Sequence, residues 1–411
     1  MALLAVGAPL ASAQSAVAGR ETALAAFRRG DLDGAERACR AWLREHPRDV
    51  EVTQLLGMTR FRRALHLDAR VPTADARAVQ EQALDTLLRA EKLAAGRPLP
   101  DLNQALGYLL WNLGRPQEAL GRLNRAVEEA PGRPLPYRLR GQVHMDLDSF
   151  AQAEGDLRQA AALAPRDFET RMLRAQALSR QGRAEETRRT LKEALGLLED
   201  PRDERRARVL YEIHRQSLAL NEFARARDEL QQALELQPGQ GQMTLELAEL
   251  AYRLGDLPAA ERHAQSVGEA LSAPPHVRAR ALHQRGLIAQ HRGRSAEARD
   301  LYEGALSADP QRAETLKNYA AVLRALGDAP GARQALKRFA EVVEIENRIR
   351  RLRDQLAIEP GDTRSRVELI RRLLRLGRGT QAAEELEHLR LRHPGHTALP
   401  DLERRLRRVQ R

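Results

Sequence analysis

The chain has 411 residues, 42% of them hydrophobic and only 3% aromatic, and its formal net charge is +11. So few rings exclude an aromatic-rich globular core and suit an array of Ala- and Leu-rich helices, whose thin side chains let helices pack closely. The single cysteine, Cys39, excludes an internal disulfide framework and a cysteine-based metal site. It falls on the apolar stripe Ala35, Cys39, Trp42, Leu43 and reads as a small buried residue.

In chain order, no charge precedes Arg20, and the apolar run Ala2–Ala13 ends in Ala11-Ser12-Ala13. That pattern predicts a signal peptide over residues 1–13, although the basic leading segment of such signals is missing. The run is too short to span a membrane. A first helical repeat follows from about Ala16 to Pro47. A second starts with Val52, Leu55, Leu56, Gly57 and Phe61 and resumes at Ala83, Leu87, Leu88 and Ala90. Between its helices the polar, turn-rich stretch 66–77 reads as an insertion.

From Pro100 the sequence repeats itself with a shift of 34 residues. Gly107 falls on Gly141, Gly114 on Asp148, Ala119 on Ala153, Leu123 on Leu157, Ala126 on Ala160 and Pro131 on Pro165. One more shift reaches Ala175, Gly182, Thr187, Leu191 and Ala194. A period of this length means stacked supersecondary units. In each unit an apolar stripe such as Leu102, Leu106, Leu110 makes a first helix, Gly114 closes it, Ala119, Leu120, Leu123 and Ala126 make a second, and Pro131 stops it. The order bulky apolar, Leu, Gly or Ala, then Gly, Ala, apolar, Ala, Pro resembles the tetratricopeptide repeat family over nearly the whole chain. The resemblance implies an all-α fold, a right-handed superhelical solenoid of helix-turn-helix repeats.

The register slips at the charged stretch Glu199–Asp203 and again at Ser272–Pro275. Repeats six to nine then carry Asn221, Ala226, Leu230 and Pro238; Ala248, Gly255, Ala260 and Ala264; Gly286, Gly293, Ala298 and Tyr302; and Ala320, Gly327 and Ala332. This makes about nine repeats over 16–345. Between Gly331 and Pro360 there is no Pro or Gly, and Val342, Ile345, Ile349, Leu352 and Leu356 form a heptad seam that predicts one long helix. Five seam positions are too few for a coiled coil. The seam reads as a repeat helix fused to the next, with a homodimer face over 342–356 as the alternative. A tenth repeat with Leu369, Leu373, Gly377, Ala382 and Leu386 follows, and an amphipathic Arg-rich helix caps the end, so 346–411 is a distinct C-terminal segment. Between Asn347 and Arg411, seventeen arginines against nine acidic residues supply +8 of the net charge.

No phosphate-binding glycine loop, strand pattern or catalytic constellation is visible, which predicts no enzyme and no cofactor. His388, His393 and His396 straddle a helix end and read as a solvated turn, so no metal site is predicted. The family resemblance implies that first helices line a concave groove for extended or helical peptides. Groove candidates are therefore first-helix residues off the apolar stripe. They are Gln104, Tyr108, Trp111 and Asn112; Arg138, Gln142 and Asp146; Gln176 and Arg180; Tyr211 and Arg215; Glu249, Tyr252 and Arg253; His283, Gln290 and His291; and Lys317, Asn318 and Arg324. Tyr108 and Trp111 rank first because aromatic and Arg side chains dominate interface energetics; the alternative is packing against the next repeat. Lys317-Asn318 matches one piece of the Lys, Asn and Arg clamp with which family members bind acidic C-terminal peptides. Neighbouring repeats lack the matching Lys and Asn, so that activity is not carried over.

The expected function is a non-catalytic interaction scaffold for protein or peptide partners, placed in the bacterial periplasm by the N-terminal signal and in the cytoplasm without it. The alternative is an accessory protein that holds an anionic polymer, such as an acidic exopolysaccharide, or an anionic membrane surface. Nucleic acid is disfavoured, because no aromatic residue between Asn347 and Arg411 could stack on a base.

Overall fold

A computed structural model describes residues 19–66, 74–99, 101–268, 274–359, 361–393 and 395–410. The expected signal peptide over 1–13 and most of the expected insertion over 66–77 lie outside the described residues. Every regular element among those described is a helix. The chain divides into two compact units, one ending at Asp203 and the other beginning at Glu204, within the charged stretch where the register slips.

The first unit holds α1 (residues 19–28), α2 (Leu32–Glu45), α3 (Val50–His66), α4 (Ala74–Ala94), α5 (Leu102–Asn112), α6 (Pro116–Glu129), α7 (Pro134–Asp146), α8 (Phe150–Leu163), α9 (Phe168–Arg180) and α10 (Ala184–Gly196). The helices pair in chain order, α3 with α4, α5 with α6, and so on, and each pair stacks on the next. First helices of successive pairs also touch, α3 with α5, α5 with α7 and α7 with α9, so one side of the stack is made of first helices alone.

Local chemistry sets the ends. Pro116 sits in the first turn of α6, where its missing N–H costs nothing, with Glu118 beside the positive helix terminus. Between α5 and α6 the chain needs a left-handed residue, and Gly114 has φ 77°. One repeat on, Asp148 takes the same conformation at φ 56°, and Asn221 does so at φ 60° in the other unit. Asp and Asn are the side chains that tolerate this region best after glycine. The core then follows the stripes: Leu87, Leu106, Leu109 and Leu123 are fully buried, each contributing roughly 1.5–3 kcal/mol relative to exposure. Cys39 is buried as its stripe position implies, and burial pushes its thiol up to about 11.

The second unit holds α11 (Glu204–Ala219), α12 (Phe223–Leu236), α13 (Gly241–Arg253), α14 (Leu257–Gly268), α15 (Pro275–His291), α16 (Ser295–Ala308), α17 (Ala313–Ala325), α18 (Ala329–Ile358), α19 (Thr363–Arg375), α20 (Gly379–Arg392) and α21 (Leu399–Gln410). Its first helices touch in the same way, α13 with α15 and α15 with α17. Helix α18 runs unbroken for 30 residues. Its seam residues Val342, Ile345, Ile349, Leu352 and Leu356 are all buried in one cluster with Val367, Leu369, Ile370 and Leu373 of α19. The heptad spacing thus serves a helix shared by two repeats, and the seam offers no face to a second chain.

A candidate partner-binding cavity

The structure spends the two first-ranked residues on packing. Tyr108 meets Phe61 of α3 edge-on at 5.5 Å between ring centroids and Trp111 at 6.2 Å. The Trp111 indole N–H donates to Asp146 Oδ2 of α7 at 2.6 Å. Both rings are half-buried against the hydrophobic cluster that joins α3 to α7. Asn112 is held by its own helix, its amide donating to the Tyr108 carbonyl at 3.1 Å. Gln142 is half-buried and Gln176 exposed, and neither lines the cavities described below.

Arg138 is also engaged. Its guanidinium donates to Asp167 Oδ2 at 2.9 Å. Asp167 caps α9, accepting from the backbone N–H groups of Glu169 and Thr170 and from the Thr170 hydroxyl. Burial opposes ionisation of this carboxyl, but the Thr170 hydroxyl, the Arg138 charge and the N–H bonds outweigh it and hold its pKa below the usual range. Asp167→Ala should therefore cost about 1–2 kcal/mol in a urea titration at neutral pH. Because the folded-state pKa is depressed, the loss should shrink as pH falls through it. An unchanged urea midpoint at neutral pH would refute the cap.

In the second unit, Tyr211 donates to Glu246 Oε1 at 3.0 Å, and exposed Arg215 pairs with Glu212 at 3.3 Å. Tyr252, Lys317 and Asn318 come together. They line one cavity of about 530 Å3 over α13, α15 and α17, with Glu249, Arg253, Arg280, His283, Gln284, Leu287, Arg312 and Glu314. Two of its charges are cancelled internally: Arg280 donates to Glu249 at 2.7 Å and Arg312 to Glu314 at 2.8 Å. Arg253 lies 5.4 Å from the Phe223 ring centroid, and neither it nor exposed Lys317 has a carboxylate partner among the described residues. The cavity thus carries two uncompensated positive charges.

Its floor is short of acceptors. The Gln284 amide nitrogen, on a side chain only 4% exposed, has no hydrogen-bond partner, and neither does Arg312 Nε. Buried donors left unmade in this way are uncommon and costly, on the order of 1–3 kcal/mol each. His283 is buried beside them, 2.9 Å from the Thr315 hydroxyl, and burial together with the Arg312 charge lowers its pKa to about 3, so it is neutral at ordinary pH. The arrangement can bind a group rich in acceptors and negative charge; it holds no activated nucleophile.

Sequence reasoning nominated Glu249, Tyr252, Arg253, His283, Lys317 and Asn318 here and missed Arg280, Gln284 and Arg312. Arg280 and Gln284 are spaced i, i+4 on α15 and so share a face, which is the signal that could have found them. The other histidines go elsewhere: His393 Nε2 lies 3.2 Å from the Thr363 hydroxyl, and His396 Nδ1 accepts from the Ala398 N–H. Among the described residues no group of three or more His, Cys, Asp or Glu could hold a metal.

The family model for the tetratricopeptide repeat matches residues 138–201, 217–271 and 283–342. No curated protein matches the chain. Among solved structures it is similar to the C-terminal part of a TPR repeat-containing protein from Cytophaga hutchinsonii, with a TM-score of 0.51 and 14% identity over 63% of this chain and 98% of that one. A tetratricopeptide repeat protein from Parabacteroides merdae gives a TM-score of 0.41 and 16% identity over 65% of this chain and 98% of that one. MamA 41-end from Desulfovibrio magneticus RS-1 gives 0.37 and 20% over 41% and 93%. With helix pairs recurring along the chain and the family model matching blocks in both units, the chain carries tetratricopeptide repeats over 138–201, 217–271 and 283–342.

Proposed function

We propose that this chain is a non-catalytic scaffold whose α13–α15–α17 cavity captures an extended segment of a partner protein. Tetratricopeptide repeats support protein interaction in general. The observation that carries the finer reading is the pair of buried, unpartnered N–H donors, Gln284 Nε2 and Arg312 Nε, in a cavity with a net positive charge. An extended peptide offers backbone carbonyls to such donors, and an acidic side chain or terminal carboxylate would meet Lys317 and Arg253.

Peptides selected by the full chain from a displayed library test the reading. Arg253→Ala combined with Lys317→Ala should weaken them about tenfold, while Trp111→Ala should leave their Kd unchanged. Unchanged affinity in the double variant would sink the reading. The uncharged run before Arg20 supports export to the periplasm. A mature N-terminus at Gln14 in the periplasmic fraction is the expected result, and an intact Met1 there would count against it.

A further inference from the structure

A second cavity, of about 1050 Å3, opens between α19 and α21 and shares no residue with the one above. Arg364, Arg371, Arg372 and Arg375 of α19 and Arg405 and Arg408 of α21 line it. Its lining holds one carboxylate, Glu368, and that one is saturated. It accepts from Arg348 at 2.9 and 2.7 Å and from Arg372 at 3.4 Å. Arg405 is tied to Asp401 at 2.9 Å. Arg364, Arg371, Arg375 and Arg408 have no ion-pair or hydrogen-bond partner from their side chains among the described residues, which leaves four unpaired guanidinium groups around one hollow, Arg364 acting on Asp362 only through its charge. At the rim His396 adds a donor: its Nδ1 accepts the Ala398 N–H, which leaves the proton on Nε2.

Between the arginines the floor is aliphatic. Val367 and Leu374 are each 7% exposed, and Val409 and Ala398 are half-buried beside them. No Phe, Tyr or Trp ring lines the hollow. Those two facts choose among anions. A nucleic acid would find no platform for its bases. A flat anionic bilayer would touch the rim but not the floor, and the apolar side of α21 is already turned inward, Leu402 being fully buried. A purely charged polymer would leave the aliphatic floor wet. A polypeptide segment that alternates carboxylates with aliphatic side chains meets both surfaces: guanidinium forks pair with carboxylates, and the floor takes the aliphatic groups.

We propose that the hollow between α19 and α21 is a second docking site, and that it takes an acidic, aliphatic segment of a partner protein. The four free arginines set where its carboxylates lie, and Val367, Leu374 and Val409 select its apolar side chains.

The test uses the full chain and fluorescent peptides of Glu and Leu, against a control of equal charge in which Ser replaces Leu. The Glu/Leu peptide should bind at least about tenfold more tightly than the Glu/Ser control. Arg371→Ala with Arg408→Ala should weaken it about tenfold. Both side chains are exposed and unpaired, so helical circular dichroism should stay that of the parent. Arg253→Ala with Lys317→Ala should leave this binding unchanged, which separates the site from the α13–α17 cavity. Equal binding of the two peptides, or displacement of the Glu/Leu peptide by long-chain polyphosphate at matched charge, would make the hollow a charge-only anion site and overturn the proposal. So would an unchanged Kd in the Arg371/Arg408 variant.

Discussion

Gly286→Ala should destabilise the second unit by up to about 2 kcal/mol, although it adds the best helix-forming residue to the interior of α15. On propensity alone the change is worth about 1 kcal/mol in the favourable direction. Packing opposes it. A Cβ at this position would lie 2.5 Å from Tyr302 Cε1, 2.7 Å from Cδ1 and 3.0 Å from Cζ. The ring cannot retreat: Tyr302 is fully buried, and its hydroxyl bonds Gln290 Oε1 at 2.9 Å. Overpacking of this kind costs typically about 1–3 kcal/mol and so exceeds the propensity gain.

The repeat supplies its own control for this pair. Residues 16 apart recur as Gly107 with Leu123, Gly141 with Leu157 and, in the third copy, Ala175 with Leu191. A leucine can turn its branch away from a methyl group where a tyrosine ring cannot. Gly286→Ala together with Tyr302→Leu should therefore be more stable than the sum of the two single changes, a coupling of about 0.5–3 kcal/mol for residues in contact. Gly121→Ala, exposed on α6 with open space around its Cβ, should stabilise by up to about 1 kcal/mol. Urea midpoints of the four variants decide the matter. Gly286→Ala at or above the parent midpoint would show that the ring moves freely, and the close-packing argument would fail.

That same glycine position shows why the fold could be read from the sequence. Gly57, Gly107, Gly141 and Gly286 each face a bulky side chain of the paired helix within 3 Å of where their Cβ would be. The steric demand recurs at these four helix crossings, and Ala175 takes the same place in a fifth, so it prints a period. The turn residues print a second one, with Asp148 and Asn221 standing where other repeats use glycine. The candidate site prints no period. Residue type ranked Trp111 and Tyr108 first, but type does not say which neighbour a ring will meet. Trp111 reaches Asp146, 35 residues on, and Tyr211 reaches Glu246 over the same separation. Side chains off the stripe thus also tie one repeat to the next, and spacing alone cannot separate that duty from binding. Gln284 escaped notice for the opposite reason. What marks it is an acceptor it lacks, a property of α13 and α17 around it. The seam of α18 had two readings for a similar cause, since heptad spacing fits a second chain and a following helix equally well. Leu369, Ile370 and Leu373, which cover it, lie beyond the seam in sequence.

Acidification should weaken the second unit from about pH 6.5 downwards, before most of its carboxylates protonate, and His283 should be a main cause. In the unfolded chain an imidazole titrates near 6.5, whereas burial and then the Arg312 charge hold His283 down at about 3. Between those values the unfolded state binds a proton that the folded state refuses. Stability therefore falls as pH drops below about 6.5 and goes on falling towards pH 3, by about 1.4 kcal/mol per pH unit from this one group. From pH 6.5 to 4.5 the expected loss is roughly 2–3 kcal/mol, a large part of the stability of a domain. Arg280 and Lys317 line the same cavity, and Glu249 and Glu314 are already engaged with Arg280 and Arg312. His263, its pKa lowered by burial and by Arg262, acts in the same direction. Glu246 does not interfere in this window. Burial opposes its ionisation, but the neighbouring His214 ring, 3.4 Å away, and hydrogen bonds from Gln242 and Tyr211 hold its pKa below the usual range, so its contribution is lost only at lower pH. His283→Gln keeps an acceptor for the Thr315 hydroxyl and removes the titration. The difference in urea midpoint between parent and His283→Gln should widen steadily in favour of the variant from about pH 6.5 to 4.5. Parallel midpoint curves for the two proteins would mean that His283 is protonated without cost in the folded state, and the buried, neutral imidazole beside Arg312 would have to be given up.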